Sequence, residues 1–483
     1  MQGVEIIWAL IIPLLGSVAI LLLRRRPNLR EAAVFISSGS LFFVVLRLYF
    51  GYDANQHTLL FVNEILPGLG IAFSIEPLGL VFALLASFLW IVTTLYSIGY
   101  MRGHNESHQT RFYFFFAIAI FSVIGIAFAD NILTLFIFYE VLSLSTYPLV
   151  AHSGTEAAKR AARTYLGMLL GSSIGLFLIA IIWTWSIAGT LTFSKGGIIP
   201  SGTSNTVIFM LLGLYVFGIG KAALMPLHRW LPAAMVAPTP VSALLHAVAV
   251  VKAGVFTVIK VVVYIFGLDT LTSSGASEVF MAIAAITIVL ASLIAMTKDN
   301  LKARLAYSTI SQLSYITLGA MLATRSGILG SSMHIVTHAF GKITLFFCAG
   351  AIMIASHKTE ISQMRGLGKQ MPLTMLAFLI GSLSIIGLPP TGGAWSKWFL
   401  ALGTLETGHI VLLSVLMLST LLNIVYLLPI PIRAFFSASD VDGPTVIKEA
   451  PVACLIAMTV TSLGCVILFI YPEPLYQLLQ QLF

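Results

Sequence analysis

Six ionisable side chains lie inside long apolar runs of this 483-residue sequence, where a charge is expensive to keep. They are Glu140, Lys221, Lys252, Lys260, Lys342 and Lys397. A charge at the centre of a bilayer costs about 2.5–3.5 kcal/mol on translocon-based scales, so residues of this kind usually mark a function. Burial weakens the hold of a lysine amine on its proton, and a neighbouring carboxylate strengthens it. A lysine whose carboxylate partner comes and goes can therefore take up and release a proton.

Glu140 is the only acidic residue well inside an apolar run, and we predict that Lys221 pairs with it. The alternative is a static buried ion pair, but such pairs add little stability because desolvation offsets the attraction. One glutamate also leaves most of the five lysines without a partner, which a purely structural arrangement would avoid. Lys260 is close enough to a helix end to snorkel to the membrane surface instead.

Histidines extend this set of polar residues. His334, His338 and Lys342 follow one another at four-residue steps, which aligns them on one helix face over roughly 12 Å. Two histidines at this spacing can bind a metal, but no carboxylate follows them and a lysine shares their face. A proton wire fits this pattern better, because neutral imidazole can both donate and accept. His246, six residues before Lys252, can act in the same way or be a packing residue.

The segment YSTISQLSYIT, at 307–317, adds several hydroxyl groups and the amide of Gln312 to another apolar run. Two interpretations stay open for it. These groups either hold water beside the ionisable residues or make ordinary hydrogen bonds between helices.

The composition requires lipid as the solvent for most of the chain. Hydrophobic residues make up 58% of the sequence and charged residues 9%, whereas soluble proteins carry about 25% charged residues. The net charge of +8 lies in short clusters between apolar runs, which suits topology and anionic headgroups rather than nucleic acid. With three scattered cysteines, no CxxC and no GxGxxG, we expect no disulfide, no metal centre and no flavin, iron–sulfur or nucleotide cofactor.

Apolar runs of roughly 20 residues, the length needed to cross a bilayer, predict about fourteen transmembrane helices. The first is expected to be a retained span, because its positive cluster follows the apolar run rather than preceding it. The predicted spans are 3–23, 31–50, 75–99, 112–129, 131–151, 161–187, 207–225, 240–266, 279–297, 302–324, 328–355, 372–404, 409–432 and 450–471.

The positions of the basic residues predict the orientation of these helices. Of 26 lysines and arginines, five lie in the apolar runs, three lie near the even-numbered loops, and the other eighteen lie in loops after odd-numbered helices. Because cytoplasmic loops are enriched in basic residues, the odd-numbered loops are predicted to be cytoplasmic and both termini to lie outside.

Two predicted spans are interrupted by proline and glycine. The seventh meets Pro226 soon after Lys221, and the twelfth contains GLPPTGG at 387–393. One such break alone would indicate a packing kink, but two breaks five helices apart, each near a lysine, favour an inverted repeat that lines a cavity. We predict peripheral helices 1–3 at 1–108, repeats at 109–266 and 267–435, and helix 14 with the C-terminus at 436–483.

Four stretches of this sequence resemble one family of membrane subunits. They are KAALMPLHRWLPAAMVAPTPVSALLHAVAVVKAG at 221–254, FYEVLSLSTYPL at 138–149, HIVTHAFGK at 334–342 and GLPPTGGAWSKW at 387–398. They are similar to the proton-conducting antiporter-like subunits of respiratory complex I, of Mrp-type cation/proton antiporters and of membrane-bound hydrogenases. The length resembles that of the D subunit of Mrp antiporters or of a mid-sized complex I subunit, whereas the Trp-Ser-Lys of the twelfth-helix motif resembles the largest complex I subunit.

This resemblance implies an all-α integral membrane protein with two inverted five-helix repeats and broken helices 7 and 12. It implies that Glu140 and Lys221 are coupled, that Lys252 or the histidines connect the two repeats, and that Lys397 is the terminal site. A multi-pass subunit of a bacterial or archaeal plasma membrane, with other membrane subunits as partners, is expected.

The leading hypothesis is a proton-translocating subunit of an Mrp-type antiporter that exchanges protons for a monovalent cation such as Na⁺. The alternative is the same module in a redox-driven pump, complex I or a hydrogenase. The chain itself is not expected to be an enzyme, because it shows no nucleophile–base constellation. A passive pore or scaffold would tolerate loss of Lys221. With one intramembrane carboxylate, we expect this chain to carry protons and Na⁺ to pass elsewhere.

Overall fold

The computed structural model describes residues 2–54, 56, 58–66, 69–437 and 447–483. Within these ranges, eleven helices are long and apolar enough to cross a membrane. Two shorter apolar helices and one more polar helix, Leu301–Met321, bring the described membrane elements to fourteen. The predicted helical membrane fold is thereby confirmed, whereas the number of fourteen spans stays a prediction.

The membrane helices are numbered here in chain order. They are α1 (Gln2–Leu22), α2 (Pro27–Phe50), α3 (Pro77–Gly103), α4 (Gln109–Phe128), α5 (Ile132–Val150), α6 (Glu156–Ala188), α7 (Asn205–Gly218), α8 (Thr239–Phe266), α9 (Glu278–Thr297), α10 (Leu301–Met321), α11 (Arg325–Ser356), α12 (Pro372–Ile386, continued by Gly393–Glu406), α13 (Ile410–Phe436) and α14 (Val452–Ile470). Short connecting helices are Gly220–Ala222, Trp230–Ala233, Ala234–Val236, Leu268–Ser274, Ile361–Met364, Leu367–Lys369 and Glu473–Gln480.

Helix α7 is shorter than predicted, because the expected span 207–225 ends as a helix at Gly218. The chain then leaves helical geometry and makes one 3₁₀ turn, Gly220–Ala222, that carries Lys221. A side chain at Gly220 would clash with Ser172 of α6, and Pro226 lacks the backbone N–H that a continuing helix needs. Close packing and proline together therefore end the helix and place Lys221 on non-helical backbone.

Helix α12 is interrupted at 387–392, as predicted. Gly387 ends the first half with φ +88°, a left-handed conformation that glycine adopts at little cost. Two prolines follow, and the second half begins at Gly393. Both predicted broken helices are thus confirmed. The division into repeats at 109–266 and 267–435 stays a prediction, and residues 438–446 of the predicted segment 436–483 lie outside the described residues.

Helix α8 lies at the centre of the bundle, and every residue from Thr239 to Phe266 is buried. By contrast, α1, α2, α13 and α14 expose many of their apolar side chains, as expected for helices at a lipid boundary. Gly254 lets α8 approach the broken segment closely, since a Cβ there would lie 2.4 Å from backbone atoms of Lys221 and Ala222. Charged groups on α8 therefore have protein rather than lipid as their surroundings.

The ends of the helices define two faces of the protein. A cavity of about 280 Å³ is lined by residues after α3, α5, α7, α9 and α11, so these loops meet on one side, here called the basic face. On the opposite side, the backbone carbonyl of Gln481 accepts a hydrogen bond from Lys195, and Gln2 at the start of α1 bonds to Gly51 at the end of α2. We call this side the termini face. The predicted alternation of the loops holds for the described helices.

A β-hairpin on the termini face was not predicted. Strands β1 (Leu59–Leu66) and β2 (Leu69–Ser74) are antiparallel, with register shifts along β1. The hairpin is tied to the start of α5, because Asp130 N donates to Ala72 O at 3.0 Å and Asn131 Nδ2 donates to Gly70 O at 2.9 Å. In the described part of the chain, this small sheet accompanies the predicted helical fold and covers the outer ends of α4 and α5.

Candidate functional site

Lys221 is held by α5, but its ammonium group does not form an ion pair with Glu140. Its Nζ donates to the Tyr139 carbonyl at 2.9 Å and to Ser143 Oγ at 2.6 Å, and it lies 3.2 Å from the centroid of the Tyr139 ring. The ion pairs found within 4.0 Å among the described residues do not include Glu140. The predicted contact is therefore absent in this arrangement, because a carbonyl, a hydroxyl and an aromatic face already satisfy the ammonium.

Glu140 is close enough to act on Lys221 electrostatically, although the two groups do not touch. Both carboxylate oxygens of Glu140 are buried and have no hydrogen-bond partner among the described residues. An unsatisfied buried carboxylate is costly, so an ammonium that turned toward Glu140 would be stabilised there. Lys221 therefore has hydrogen-bond partners in this arrangement, whereas the Glu140 carboxylate has none among the described residues.

The backbone around Lys221 is fixed by side chains from two directions. Lys221 N donates to the Tyr139 hydroxyl at 3.1 Å, and Trp230 Nε1 donates to the Gly220 carbonyl at 3.0 Å. All of these groups are buried. The break in α7 consequently presents Lys221 to α5 on a rigid support.

Lys252 and His338 join α8 to α11 at the centre of the protein. The Lys252 amine contacts Nδ1 of His338, and both side chains are buried. His246 lies on a π-helical turn of α8, Leu244–Val248, with its ring 4.8 Å from the ring of Phe346. Neither of its nitrogens has a hydrogen-bond partner in the described part of the chain, nor does Nε2 of His338. These nitrogens are available to water or to a proton.

His334 links the same helix α11 to α10 and α12. Its Nδ1 lies 2.8 Å from Ser396 Oγ, and its Nε2 lies 3.1 Å from Gln312 Oε1. The rings of His334 and His338 are 5.8 Å apart, which continues the polar stripe toward α12. Among the described residues, no group of three or more histidine, cysteine, aspartate or glutamate side chains is placed to hold a metal ion.

Lys342 ends the stripe in a separate polar pocket. Its Nζ donates to Ser308 Oγ at 2.6 Å and to the Leu305 carbonyl at 3.3 Å. The Tyr426 hydroxyl donates to the same Ser308 oxygen at 2.9 Å and also contacts Asn423. Helices α10, α11 and α13 are joined here by a chain of hydrogen bonds.

Lys397 lies near the start of the second half of α12, and its side chain reaches back to the end of the first half. Its Nζ donates to the Ile386 carbonyl at 2.9 Å and to Thr420 Oγ1 at 3.3 Å. The ammonium lies 4.8 Å from the centroid of the Tyr315 ring, and that ring stacks on His334 at 5.9 Å. The break in α12 therefore supplies a carbonyl acceptor for Lys397 next to the histidine stripe.

Taken together, the predicted residues fall into two groups. Glu140 and Lys221 form the first, and the second runs between Lys252 and Lys397 through the two α11 histidines, with Lys342 on a branch. No direct hydrogen bond joins Lys221 to the second group among the described residues. Gly254 nevertheless lets the backbone of Lys221 pack against α8, and Gly254 is only two residues after Lys252 in that helix.

The prediction that Lys260 snorkels to the membrane surface is wrong. Its side chain is 1% exposed and forms a 2.7 Å ion pair with Glu76, the residue that precedes α3. Its Nζ also donates to the Ala129 carbonyl at 2.8 Å. Sequence reasoning missed Glu76 because it lies at the edge of a span, although a carboxylate just before a helix-starting proline was a readable signal.

The neutral residues that bind the lysine amines were also not predicted from the sequence. Ser143, Ser308 and Thr420 each supply a hydroxyl to one lysine. Hydroxyls are common between membrane helices, so only the spacing offered a clue. Ser143, for example, follows Tyr139 by one helical turn and lies on the same face.

Residues 129–423 match the family described as NADH:quinone oxidoreductase/Mrp antiporter, TM. The chain is 31% identical over 422 residues to NADH-quinone oxidoreductase subunit N of Desulforudis audaxviator (strain MP104C), covering 84% of this chain and 83% of that protein. It is 32% identical over 350 residues to NAD(P)H-quinone oxidoreductase chain 5 of Synechocystis sp. (strain ATCC 27184 / PCC 6803 / Kazusa), covering 68% of this chain and 49%, about half, of that protein.

Two solved structures share the fold at lower identity. A chain of the membrane-bound sulfane sulfur reductase, an archaeal respiratory membrane complex, superposes with a TM-score of 0.88 at 24% identity, covering 99% of this chain and 96% of that chain. A chain of the Mrp complex from Dietzia sp. DQ12-45-1b superposes with a TM-score of 0.87 at 19% identity, covering 100% and 96%. With the family match over more than half of its length, the chain belongs to the NADH:quinone oxidoreductase/Mrp antiporter family of membrane proteins.

Proposed function

We propose that this chain is the proton-translocating subunit of a multisubunit Mrp-type antiporter, which exchanges protons for a monovalent cation such as Na⁺. The observation that carries the proposal is the row of buried amines and imidazoles across the middle of the bundle. Lys221, Lys252, Lys342 and Lys397 are held by neutral acceptors rather than by carboxylates. A structural role would favour paired charges, whereas proton transfer needs amines that can exist with and without their proton.

Glu140 and Lys221 are proposed to start the transfer. When Lys221 turns from Ser143 to Glu140, the carboxylate stabilises its ammonium form, and when it turns back that stabilisation is lost. Only side-chain rotation is required, because the backbone of Lys221 is fixed by Tyr139 and Trp230. The proton affinity of Lys221 is thereby coupled to conformation.

Lys252 and the α11 histidines are proposed to carry the proton onward to Lys397. A neutral imidazole accepts a proton at one nitrogen and releases one from the other, which suits His338 and His334 between two amines. Ser396 Oγ, 2.8 Å from His334 and 3.1 Å from Thr337 Oγ1, provides a hydroxyl on the α12 side. His246 and Lys342 are proposed side positions of the same pathway.

The second candidate is a redox-driven complex, and one observation favours it. One relative, which aligns with 84% of this chain at 31% identity, is named a subunit of NADH-quinone oxidoreductase. In either complex the chain would work with other membrane subunits and would perform transport rather than redox chemistry, since its sequence offers no cysteine cluster for iron–sulfur ligation. We propose that Na⁺ crosses through a partner subunit.

Proton transport into membrane vesicles that contain the whole complex tests the proposal. Glu140→Ala and Lys221→Ala are expected to abolish pH-driven exchange while the complex still assembles. Glu156→Ala is the matched control, because Glu156 forms an exposed ion pair with Lys159, 2.8 Å away, outside the row of buried amines. Undiminished exchange in the Lys221 variant would exclude the proposal in favour of a passive scaffold.

The orientation belongs to the same proposal, with the basic face in the cytoplasm of a bacterial or archaeal cell and both termini outside. The repeats at 109–266 and 267–435 would then place their broken helices in opposite directions. Cys348, Cys454 and Cys465 are buried, so a cysteine introduced at Lys195 reports accessibility with little background. Labelling of that cysteine by an impermeant maleimide in intact cells is expected, and protection from it would reverse the orientation.

A further inference from the structure

The ion pair between Lys260 and Glu76 lies apart from the proposed pathway, at the end of α8 that approaches the termini face. The Lys260 amine is 2.7 Å from Glu76 Oε1 and 2.8 Å from the Ala129 carbonyl, and it lies 4.0 Å from the centroid of the Phe193 ring. Side chains and backbone from α8, the start of α3 and the end of α4 meet at this amine.

Further titratable groups surround the pair. Asp130, which follows α4, and Tyr264 of α8 both interact electrostatically with it. The hairpin and the loop after α6 close the site from the outer side. Two carboxylates and a phenol therefore face one lysine, so a proton leaving the amine would have acceptors within reach.

One end of the site approaches the aqueous phase. The Glu76 side chain is 14% exposed while that of Lys260 is 1% exposed, so the carboxylate is the member nearer to solvent. On the same face, a cavity of about 250 Å³ reaches Asp130 and is also lined by Asn131 and the hairpin residues Glu64 and Gly70, but not by Glu76 itself. Water on the termini face thus reaches the acidic groups before it reaches the lysine.

The other end of the site points along α8 toward the proposed pathway. Lys252 precedes Lys260 by eight residues, a rise of roughly 12 Å, which two extended lysine side chains and one or two waters can bridge. Phe256 lies between them and packs on Phe82 of α3 with ring centroids 4.8 Å apart. Both rings are fully or almost fully buried, so apolar side chains separate the two lysines in this arrangement.

We propose that Lys260 and Glu76 form a second proton-transfer site, which connects Lys252 to the aqueous phase on the termini face, and that Phe82 and Phe256 form the barrier between them. The Lys260 ammonium gives its proton to the Glu76 carboxylate, leaving a neutral amine and a neutral acid. Glu76 releases the proton to water, and the amine takes another from Lys252 when water enters between the rings. This inference rests on the proposed function.

A static ion pair that only stabilises the end of α8 is the competing explanation, and arginine at position 260 separates the two. A guanidinium preserves the charge and can pair with Glu76, but it does not release its proton in proteins. Since the unperturbed proton affinities of arginine and lysine differ by at least two logarithmic units, release would slow by about hundredfold or more. If the pair only stabilises the protein, Lys260→Arg should leave transport unchanged. If the pair transfers protons, Lys260→Arg should slow transport.

The experiment measures proton transport by vesicles that contain the whole complex, together with the amount and thermal stability of that complex. Lys260→Arg is expected to assemble normally and to transport about hundredfold more slowly. The double variant Lys260→Met with Glu76→Gln removes both charges, which avoids an unpaired buried charge, and it is also expected to be inactive. Lys195→Arg is the control for the exchange itself, because Lys195 lies on the same face and, among the described residues, its amine donates to the Gln481 carbonyl rather than to a carboxylate.

Each outcome decides between the explanations. Normal transport by either variant would overturn the second site. If Lys260→Arg fails to assemble, the double variant decides alone, since a structural pair can be replaced by neutral residues without loss of transport. Lys221→Ala is measured in parallel. Its inactivity beside active Lys260 variants would refute this inference only, whereas its normal activity would refute the proposed function as well.

Discussion

Gly254 offers the sharpest test of how the broken helix α7 presents Lys221. A methyl group on Gly254 would lie 2.4 Å from Ala222 N and from Lys221 C, whereas ordinary contacts begin at 3.4 Å. The broken segment must therefore move by about 1 Å, the difference between these distances, and overpacking of this kind costs about 1–3 kcal/mol. A displacement of that size away from α8 changes the position of the Lys221 amine relative to Ser143 Oγ and the Tyr139 carbonyl, so its 2.6 Å and 2.9 Å hydrogen bonds cannot keep their present geometry.

We expect Gly254→Ala to lower proton transport about tenfold to hundredfold, because misplacement by about 1 Å has effects of this order in other proteins. Transport by vesicles and thermal unfolding of the solubilised complex are the two measurements. Gly171→Ala is the matched control, since it also adds a methyl to a helical glycine but has no neighbouring atom within 4 Å. Its transport should be unchanged. A fully active and fully stable Gly254→Ala variant would refute the close contact between α8 and the Lys221 backbone.

Three further predictions concern the surroundings of the site. Tyr426→Phe removes a hydroxyl bonded to Ser308, so it should destabilise the complex by about 1 kcal/mol in thermal unfolding. Gln312→Ala removes the Nε2 partner of His334 and should slow transport without preventing assembly. Burial lowers the pKa of His152, in the loop after α5, below 6.5. The unfolded chain then binds this proton first, so stability should fall as the pH drops below 6.5, and less steeply in His152→Gln.

The fold was largely readable from hydrophobic runs, because lipid leaves helices as the main way to satisfy a spanning backbone. The predicted span 240–266 differs from α8 by a single residue, and both breaks were found from proline and glycine. The error in α7 has a local cause, since Gly220 must pack against Ser172 and the sequence does not show that contact. The hairpin at 59–74 was missed because a short polar-edged segment carries no signal comparable to a membrane span.

For the candidate site, the sequence predicted which ionisable residues are involved but not which groups they contact. A lysine in an apolar run is rare enough to be noticed, and the four-residue steps of His334, His338 and Lys342 fixed their common face. What each lysine contacts depends on how helices pack, which a single sequence does not determine. The predicted partner of Lys221 was Glu140, whereas Ser143 and a backbone carbonyl hold it. Lys260 was assigned to the membrane surface because the nearby Glu76 is distant in sequence.

The two breaks explain how two of the buried amines, those of Lys221 and Lys397, are kept inside the bundle. An unbroken helix has already used its interior carbonyls, so a buried lysine beside it finds few acceptors. Where α12 stops, the Ile386 carbonyl is free to accept from Lys397. Where α7 stops, the broken backbone brings Lys221 to α5, where the Ser143 hydroxyl accepts a hydrogen bond and the Tyr139 carbonyl accepts a second one in addition to its own helix's bonds. Neutral acceptors hold an ammonium without fixing its charge, which is the condition under which a proton can still move.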